Sequence, residues 1–245
     1  AKKVGAKLDS IRLIDTGGAN RPANQAKEMA DFIPHVLTGT SYGMTETNAL
    51  GIAIRGKEYL ENPGVTGRLI APIAEMRIVD EFDVDVAVGE VGELVLKSAA
   101  NMRCYLNKGI ETSEVLKNGW LYTGDLAKID ENELITLVDR KKNIIIRGGE
   151  NISAQEVQTA ILEHPDVVEA AIFSLPNERL GEIVGACVYC RKTSNENESS
   201  LRDFLKNSLA AYKIPEYIWI KNKPLPRVAS EKIDVEALKK EYSYR

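Results

Sequence analysis

Two short apolar runs, Leu134–Val138 and Ile144–Ile146, stand on either side of the charged sequence Asp139-Arg140-Lys141-Lys142. Runs of this length, rich in Ile, Leu and Val, predict strands. A block of charge between them resists burial in one core, so it predicts a boundary between two packed units. The surrounding stretch, Gly119–Asn151, also carries Thr123-Gly124-Asp125, which reads as a tight turn, and a Gly148-Gly149 pair. An aspartate on one turn and an arginine at a strand end suit convergence on the hydroxyls of a polyol.

The chain has 245 residues, enough for one or two domains. Its formal net charge of −4 supplies no broad positive field for nucleic acid, so an anionic ligand must be held by a few local groups. No apolar run approaches the roughly 20 residues a membrane helix needs, and no signal peptide opens the sequence, so a cytoplasmic enzyme is expected. Three cysteines argue against a disulfide framework. Cys187 and Cys190 spell C-x-x-C inside an apolar, β-prone run, where residues three apart face opposite sides and do not chelate together. His35 and His164 are isolated.

Along the chain, Ile11–Ile14 predicts a strand ending in Thr16-Gly17-Gly18-Ala19, which reads either as a plain strand-to-helix turn or as close backbone approach to a ligand. A helix is expected from about Pro22 to Ala30, stopped by Phe32-Ile33-Pro34. A short strand at Val36–Thr38 leads into a loop, Gly39–Thr47. There Tyr42 suits stacking on a flat base, Thr45 a phosphate oxygen and Glu46 a Mg²⁺ ion, although each also reads as an ordinary loop residue. Between 64 and 138 the alternating runs Glu75–Val79, Gly92–Lys97 and Leu134–Val138 predict a small antiparallel sheet or barrel. The acidic residues Asp80, Glu81, Asp83, Asp85, Glu90 and Glu93 read as a solvated face. Beyond Ile146, Ser153-Ala154-Gln155-Glu156 spells a capping box before a helix that ends at His164-Pro165. Strands follow at Val167–Phe173 and Ile183–Cys190, then a polar loop at Ser194–Ser200. A helix over Leu201–Ala211 aligns Leu201, Phe204, Leu205 and Leu209, and a strand at Tyr217–Ile220 precedes a closing helix from about Asp234. The expected fold is α/β followed by α+β.

Tyr42-Gly43-Met44-Thr45-Glu46 resembles the signature of the adenylate-forming enzymes, among them acyl-CoA synthetases, luciferases and nonribosomal-peptide adenylation domains. Further matches follow in that family's order: Gly17-Gly18-Ala19, Gly92-Glu93-Leu94, Gly119-Trp120 with Tyr122-Thr123-Gly124-Asp125, Val138 to Lys142, Gly148 to Ile152, and Lys232. Asn101–Leu106 also resembles a family segment, with Cys104 read as packed. The resemblance implies the C-terminal part of a large domain over residues 1–140, as a βα segment (1–63) and a barrel-like subdomain (64–140). A small mobile α+β domain follows over 141–245.

It also implies an ATP-dependent ligase that joins a small-molecule carboxylic acid to CoA through an acyl-adenylate, using Mg²⁺. Gly17, Gly18, Ala19, Tyr42, Gly43, Thr45, Asp125 and Arg140 would bind nucleotide, the last two through the ribose. Glu46 would ligate Mg²⁺, Lys142 would be the hinge, Gly149 would lie on the CoA path, and Lys232 would act with Thr45 and Glu46 in catalysis. Two departures stand out. The family's phosphate loop, Ser/Thr/Gly-rich and ending in Pro-Lys-Gly, is not in this sequence, so the resemblance implies the C-terminal portion of a longer enzyme, expected to be inactive by itself. In Ser230-Glu231-Lys232, glutamate occupies the place where the family has glycine. Delivery to a carrier protein and a non-catalytic, nucleotide-binding or partner-binding role are the alternatives.

Overall fold

The apolar runs form strands that gather into three sheets among the described residues, 8–18, 23–49, 51–191 and 197–242, of the computed structural model. The chain divides into two compact units, Ala1–Val138 and Asp139–Arg245. Ala19, Pro22 and residues 194–196 lie outside the described residues.

In the first unit, β1 (Leu13–Thr16) and β2 (Leu37–Tyr42) are parallel, joined through helix α1 (Ala23–Phe32). Strand β3 (Ile52–Arg55) pairs antiparallel with β2, helix α2 (Gly56–Glu61) follows, and β4 (Arg68–Leu69) completes the sheet. β1 begins two residues later than the apolar run predicts. β2 runs on through Tyr42, so half of the expected loop is strand. Both shifts come from pairing, since Thr16 aligns with Thr40 and Tyr42 with Ile52.

The second sheet contains β5 (Ala74–Val79), β6 (Gly92–Ser98), β7 (Leu116–Lys117), β8 (Trp120–Ile129) and β9 (Ile135–Arg140), with helix α3 (Gly109–Val115) before β7. Thr123-Gly124-Asp125 is not a tight turn. It is an irregularity within β8, where Tyr122 faces Val95 but Leu126 faces Glu93. Gly124, at φ 72°, takes the left-handed conformation this needs. Ile52, Ile78, Leu94, Leu96, Ala127 and Ile135 form the buried core beneath it.

The acidic stretch is only partly a solvated face. Asp83 and Asp85 pair with Arg77, but Glu93 is buried and its Oε1 accepts the Gly124 N–H at 3.0 Å. That contact fixes the bulge.

The second unit carries β10 (Ile144–Arg147) and β11 (Glu150–Ser153), joined at Gly148-Gly149, and helix α4 (Ala154–Leu162). The long hairpin β12 (Val167–Asn177) and β13 (Gly181–Cys190) follows, then α5 (Glu198–Leu205), β14 (Tyr217–Lys221) and α6 (Val235–Tyr242). β12 and β13 are covered on both faces, so their sequences are almost continuously apolar. Val157, Ile161, Leu201 and Leu205 pack on one face, and Leu225, Leu238 and Tyr242 on the other. Cys190 lies in the first cluster and Cys187 in the second, so the C-x-x-C pair is split across the sheet. Helix α5 starts and ends earlier than its apolar spacing predicts, because Asn197 caps it by accepting the Ser200 N–H at 3.0 Å.

The capping box of α4 forms only in half. Ser153 accepts the Glu156 N–H at 3.0 Å, but the Glu156 carboxylate pairs with Lys213 at 2.6 Å. Asp139 adds a different acceptor at this helix end: Oδ2 accepts from Ser153 Oγ at 2.7 Å and from the Gln155 N–H at 2.8 Å. The aspartate of the charged block is thus buried at a helix N-terminus, where a negative charge is favoured. Arg140, Lys141 and Lys142 remain exposed.

Candidate active site

In the first unit, the carboxyl ends of the parallel strands β1 and β2 carry Gly17-Gly18 and Tyr42-Gly43, the position where α/β sheets bind ligands. Gly17 lies so close to β2 that a Cβ there would sit 2.9 Å from the Ser41 carbonyl oxygen. Among the described residues, none beyond its chain neighbours comes within 4 Å of a Cβ at Gly18. Tyr42 rests its ring against the core below the second sheet, and its hydroxyl donates to Asp125 Oδ2 at 2.7 Å. Asp125 is buried, reached through the bulge of β8, and its N–H is held by Thr123 Oγ1 at 3.1 Å. The bulge therefore delivers a carboxylate from one motif to the tyrosine of another.

After Gly43 the chain forms a 3-10 turn, Thr45–Thr47, closed by the Thr47 and Ala49 N–H groups donating to the Met44 carbonyl at 3.0 Å. Thr45 is exposed and Glu46 half-buried. The Glu46 carbonyl accepts the Met102 N–H at 2.6 Å, and its Oε1 accepts the Tyr105 hydroxyl at 2.7 Å. Tyr105 is the residue sequence reasoning missed. Its segment resembled the family, but nothing local links a tyrosine to a glutamate 59 residues away. Burial, then the bond to Glu46, raises the Tyr105 phenol from 10.0 to about 12.

The raised value means the fold favours the neutral phenol. Its contribution to stability is complete below about pH 10 and is lost as pH rises through about 12. In a spectrophotometric titration, Tyr105→Phe should remove one phenol from the late-titrating group. An unchanged late phase would show that the contact with Glu46 does not form.

Glu46 Oε2 makes no hydrogen bond among the described residues, so one face of the carboxylate is open to a cation. No group of three or more His, Cys, Asp or Glu side chains that could hold a metal occurs among those residues. A single carboxylate fits Mg²⁺ that arrives on a nucleotide and keeps phosphate and water ligands.

The second unit carries the other candidates. Arg140 is exposed, with its N–H on Asp139 Oδ1 at 2.7 Å. Lys142 is exposed in the 3-10 turn Lys141–Asn143, and Gly149 in the β10–β11 turn. Lys232 is exposed near the tip of a tight hairpin closed by the bridge between Arg227 and Ile233.

Glu231, beside it, has φ 63°. The expected cost of a left-handed non-glycine residue is therefore incurred, roughly 1 kcal/mol. Glu231→Gly should raise stability to chemical denaturation by at most about 1 kcal/mol, because glycine also loosens the unfolded chain. A loss of stability would contradict the left-handed geometry.

A family model described as AMP-binding enzyme matches residues 1–106, and one described as AMP-binding enzyme C-terminal domain matches residues 156–232. The 2-succinylbenzoate–CoA ligase of Geobacillus kaustophilus is 36% identical over 229 residues, covering 92% of this chain and 45% of the relative. A long-chain-fatty-acid–CoA ligase of Escherichia coli is 34% identical, covering 86% of this chain and 37% of the relative. The chain thus spans about half the length, or less, of the curated relatives it matches. Among solved structures, the o-succinylbenzoate CoA synthetase of Bacillus subtilis with its acyl-adenylate intermediate superposes at a TM-score of 0.87 and 30% identity. It covers 97% of this chain and 48% of that one.

Proposed function

The chain belongs to the AMP-binding, adenylate-forming enzyme family, and from that premise we propose that it is the C-terminal part of an acyl- or aryl-CoA ligase. The observation that carries this reading furthest is the Tyr42–Asp125 hydrogen bond. It joins side chains from two separate motifs, 83 residues apart, at the carboxyl ends of β1 and β2.

In this reading Gly17 and Gly18 admit the adenine edge, Tyr42 stacks on its face, and Asp125 and Arg140 hold the ribose hydroxyls. Gly43 keeps the turn tight, and Thr45 donates to the α-phosphate. A Mg²⁺ ion held by Glu46 and the nucleotide phosphates would neutralise charge on the leaving pyrophosphate. The substrate carboxylate attacks the α-phosphorus, expelling pyrophosphate. Both reactants are anionic, so a positioned cation lowers the barrier, and Lys232 bridges carboxylate and phosphate there. The CoA thiol then attacks the acyl carbonyl and releases AMP. The thiol reaches the carbonyl past Gly149 after the small unit turns about Lys142.

The phosphate loop and most of the acyl pocket would come from upstream sequence, so the 245-residue chain alone is expected to be inactive. The two relatives just compared are named for 2-succinylbenzoate and for long-chain fatty acids at nearly equal identity, which supports an aryl or fatty carboxylic acid as the substrate class. With the upstream sequence restored, carboxylate-dependent ATP–pyrophosphate exchange should appear, followed by CoA-dependent release of AMP. Nucleotide binding without exchange would instead favour a non-catalytic relative. Exchange with transfer only to a carrier protein would replace CoA as the acceptor.

A further inference from the structure

The hairpin that bears Lys232 is short. The Val228 N–H donates to the Lys232 carbonyl and the Glu231 N–H to the Val228 carbonyl, both at 2.9 Å, and the Asp234 N–H donates to the Pro226 carbonyl at 2.8 Å. These backbone bonds close the loop. One side chain reaches across it. Arg227 donates through Nη1 to the Glu231 carbonyl and through Nη2 to Glu169 Oε1. Glu169 stands on β12, and its side chain is only 14% exposed. Its other oxygen, Oε2, accepts the Leu225 N–H at 2.8 Å, at the start of the same loop.

The Glu231 carbonyl belongs to the peptide unit that carries the Lys232 N–H. With the Lys232 carbonyl held by the Val228 N–H, fixing that plane as well sets both peptide planes around the Lys232 Cα, and with them the direction in which its side chain leaves the backbone. The rigid guanidinium fork spans carbonyl and carboxylate together, and the carboxylate is anchored on a strand buried on both faces. Neither residue is placed to touch a nucleotide in the reading given above. Their contacts are with the lysine loop.

We propose that Arg227 and Glu169 position Lys232 for adenylate formation, acting through the Glu231–Lys232 peptide. This rests on Lys232 being the lysine of the adenylation step. A lysine at 227 can meet Glu169 but cannot also fork to the Glu231 carbonyl, so Arg227→Lys should restore only part of what Arg227→Met loses.

The test uses Arg227→Met, Arg227→Lys and Glu169→Gln, with Lys232→Ala as reference, in the protein with its upstream sequence restored. For Arg227→Met, ATP–pyrophosphate exchange should fall about 10- to 100-fold, the scale on which small misplacements act. Thioester formation from preformed acyl-adenylate should stay unchanged. In the 245-residue chain, amide hydrogen exchange at Val228 and Glu231, the two amides that close the loop, should quicken while α4 and α5 keep their protection.

If Lys232→Ala leaves exchange activity intact, the functional reading itself fails. If Lys232→Ala abolishes it but Arg227→Met does not, despite a loosened loop, the positioning role is overturned. Equal loss of both half-reactions would also overturn it, by reducing the pair to general stability. Should Arg227→Met not fold, Arg227→Lys and Glu169→Gln decide the matter through the same split.

Discussion

Lys232→Ala, in the enzyme with its upstream sequence present, should lower adenylate formation by about two to three orders of magnitude, as loss of one charge-stabilising donor does. The lysine is exposed near the tip of its hairpin, so its removal leaves no cavity and no buried group without a partner. Stability should therefore be unchanged, and the loss should appear in kcat for pyrophosphate exchange rather than in folding. Thioester formation from preformed acyl-adenylate does not require the bridging cation and should proceed at nearly the normal rate. An equal fall in both half-reactions would remove Lys232 from the role proposed for it.

Gly43→Ala should have the second large effect, by a different route. A Cβ at position 43 would lie 2.5 Å from both the carbonyl carbon and the oxygen of Ala49, and 2.8 Å from its Cα. These are backbone atoms of a turn closed on the Met44 carbonyl, so nothing can rotate out of the way. Relief requires opening the turn that carries Thr45 and Glu46. The expected cost is about 1–3 kcal/mol of stability, together with displacement of Glu46 from Tyr105. Thermal unfolding and the Tyr105 titration should both report it. Gly18→Ala is the control, because among the described residues no atom beyond its chain neighbours lies within 4 Å of its added Cβ. That substitution should strain only its own backbone and leave the Glu46–Tyr105 contact intact. Wild-type melting of Gly43→Ala would show that the close approach does not exist.

Much of the sheet architecture was legible because burial writes a period into the sequence. β5 and β6 follow the runs Glu75–Val79 and Gly92–Lys97 to within a residue, and the doubly covered β12 and β13 follow continuous apolar runs. What escaped was polar chemistry with remote partners. Asp139 read as part of a charged boundary between two units because it sits beside three cations, yet its partners Ser153 and Gln155 hold it buried. Glu93 read as surface because of its acidic neighbours, yet it serves Gly124, 31 residues on. The Thr123-Gly124-Asp125 sequence carries ordinary turn chemistry, and only strand pairing turns it into a bulge. At the candidate site, the resemblance of their motifs to the family marked Tyr42, Glu46 and Asp125, whereas Tyr105 and Arg227 became visible only through their contacts.

The bulge of β8 also sets a rule for length changes. From Tyr122 to Leu126 the strand takes four steps while β6 takes two, from Val95 to Glu93. The excess is an even number, so Leu121, Thr123, Asp125 and Ala127 all still face inward. Loss or gain of one residue here would reverse the facing of everything beyond it, turning Asp125 away from Tyr42 or Ala127 out of the core. Insertions and deletions at this point obey parity. In a library of in-frame indels, changes of two residues should survive far more often than changes of one, whatever residues are gained or lost.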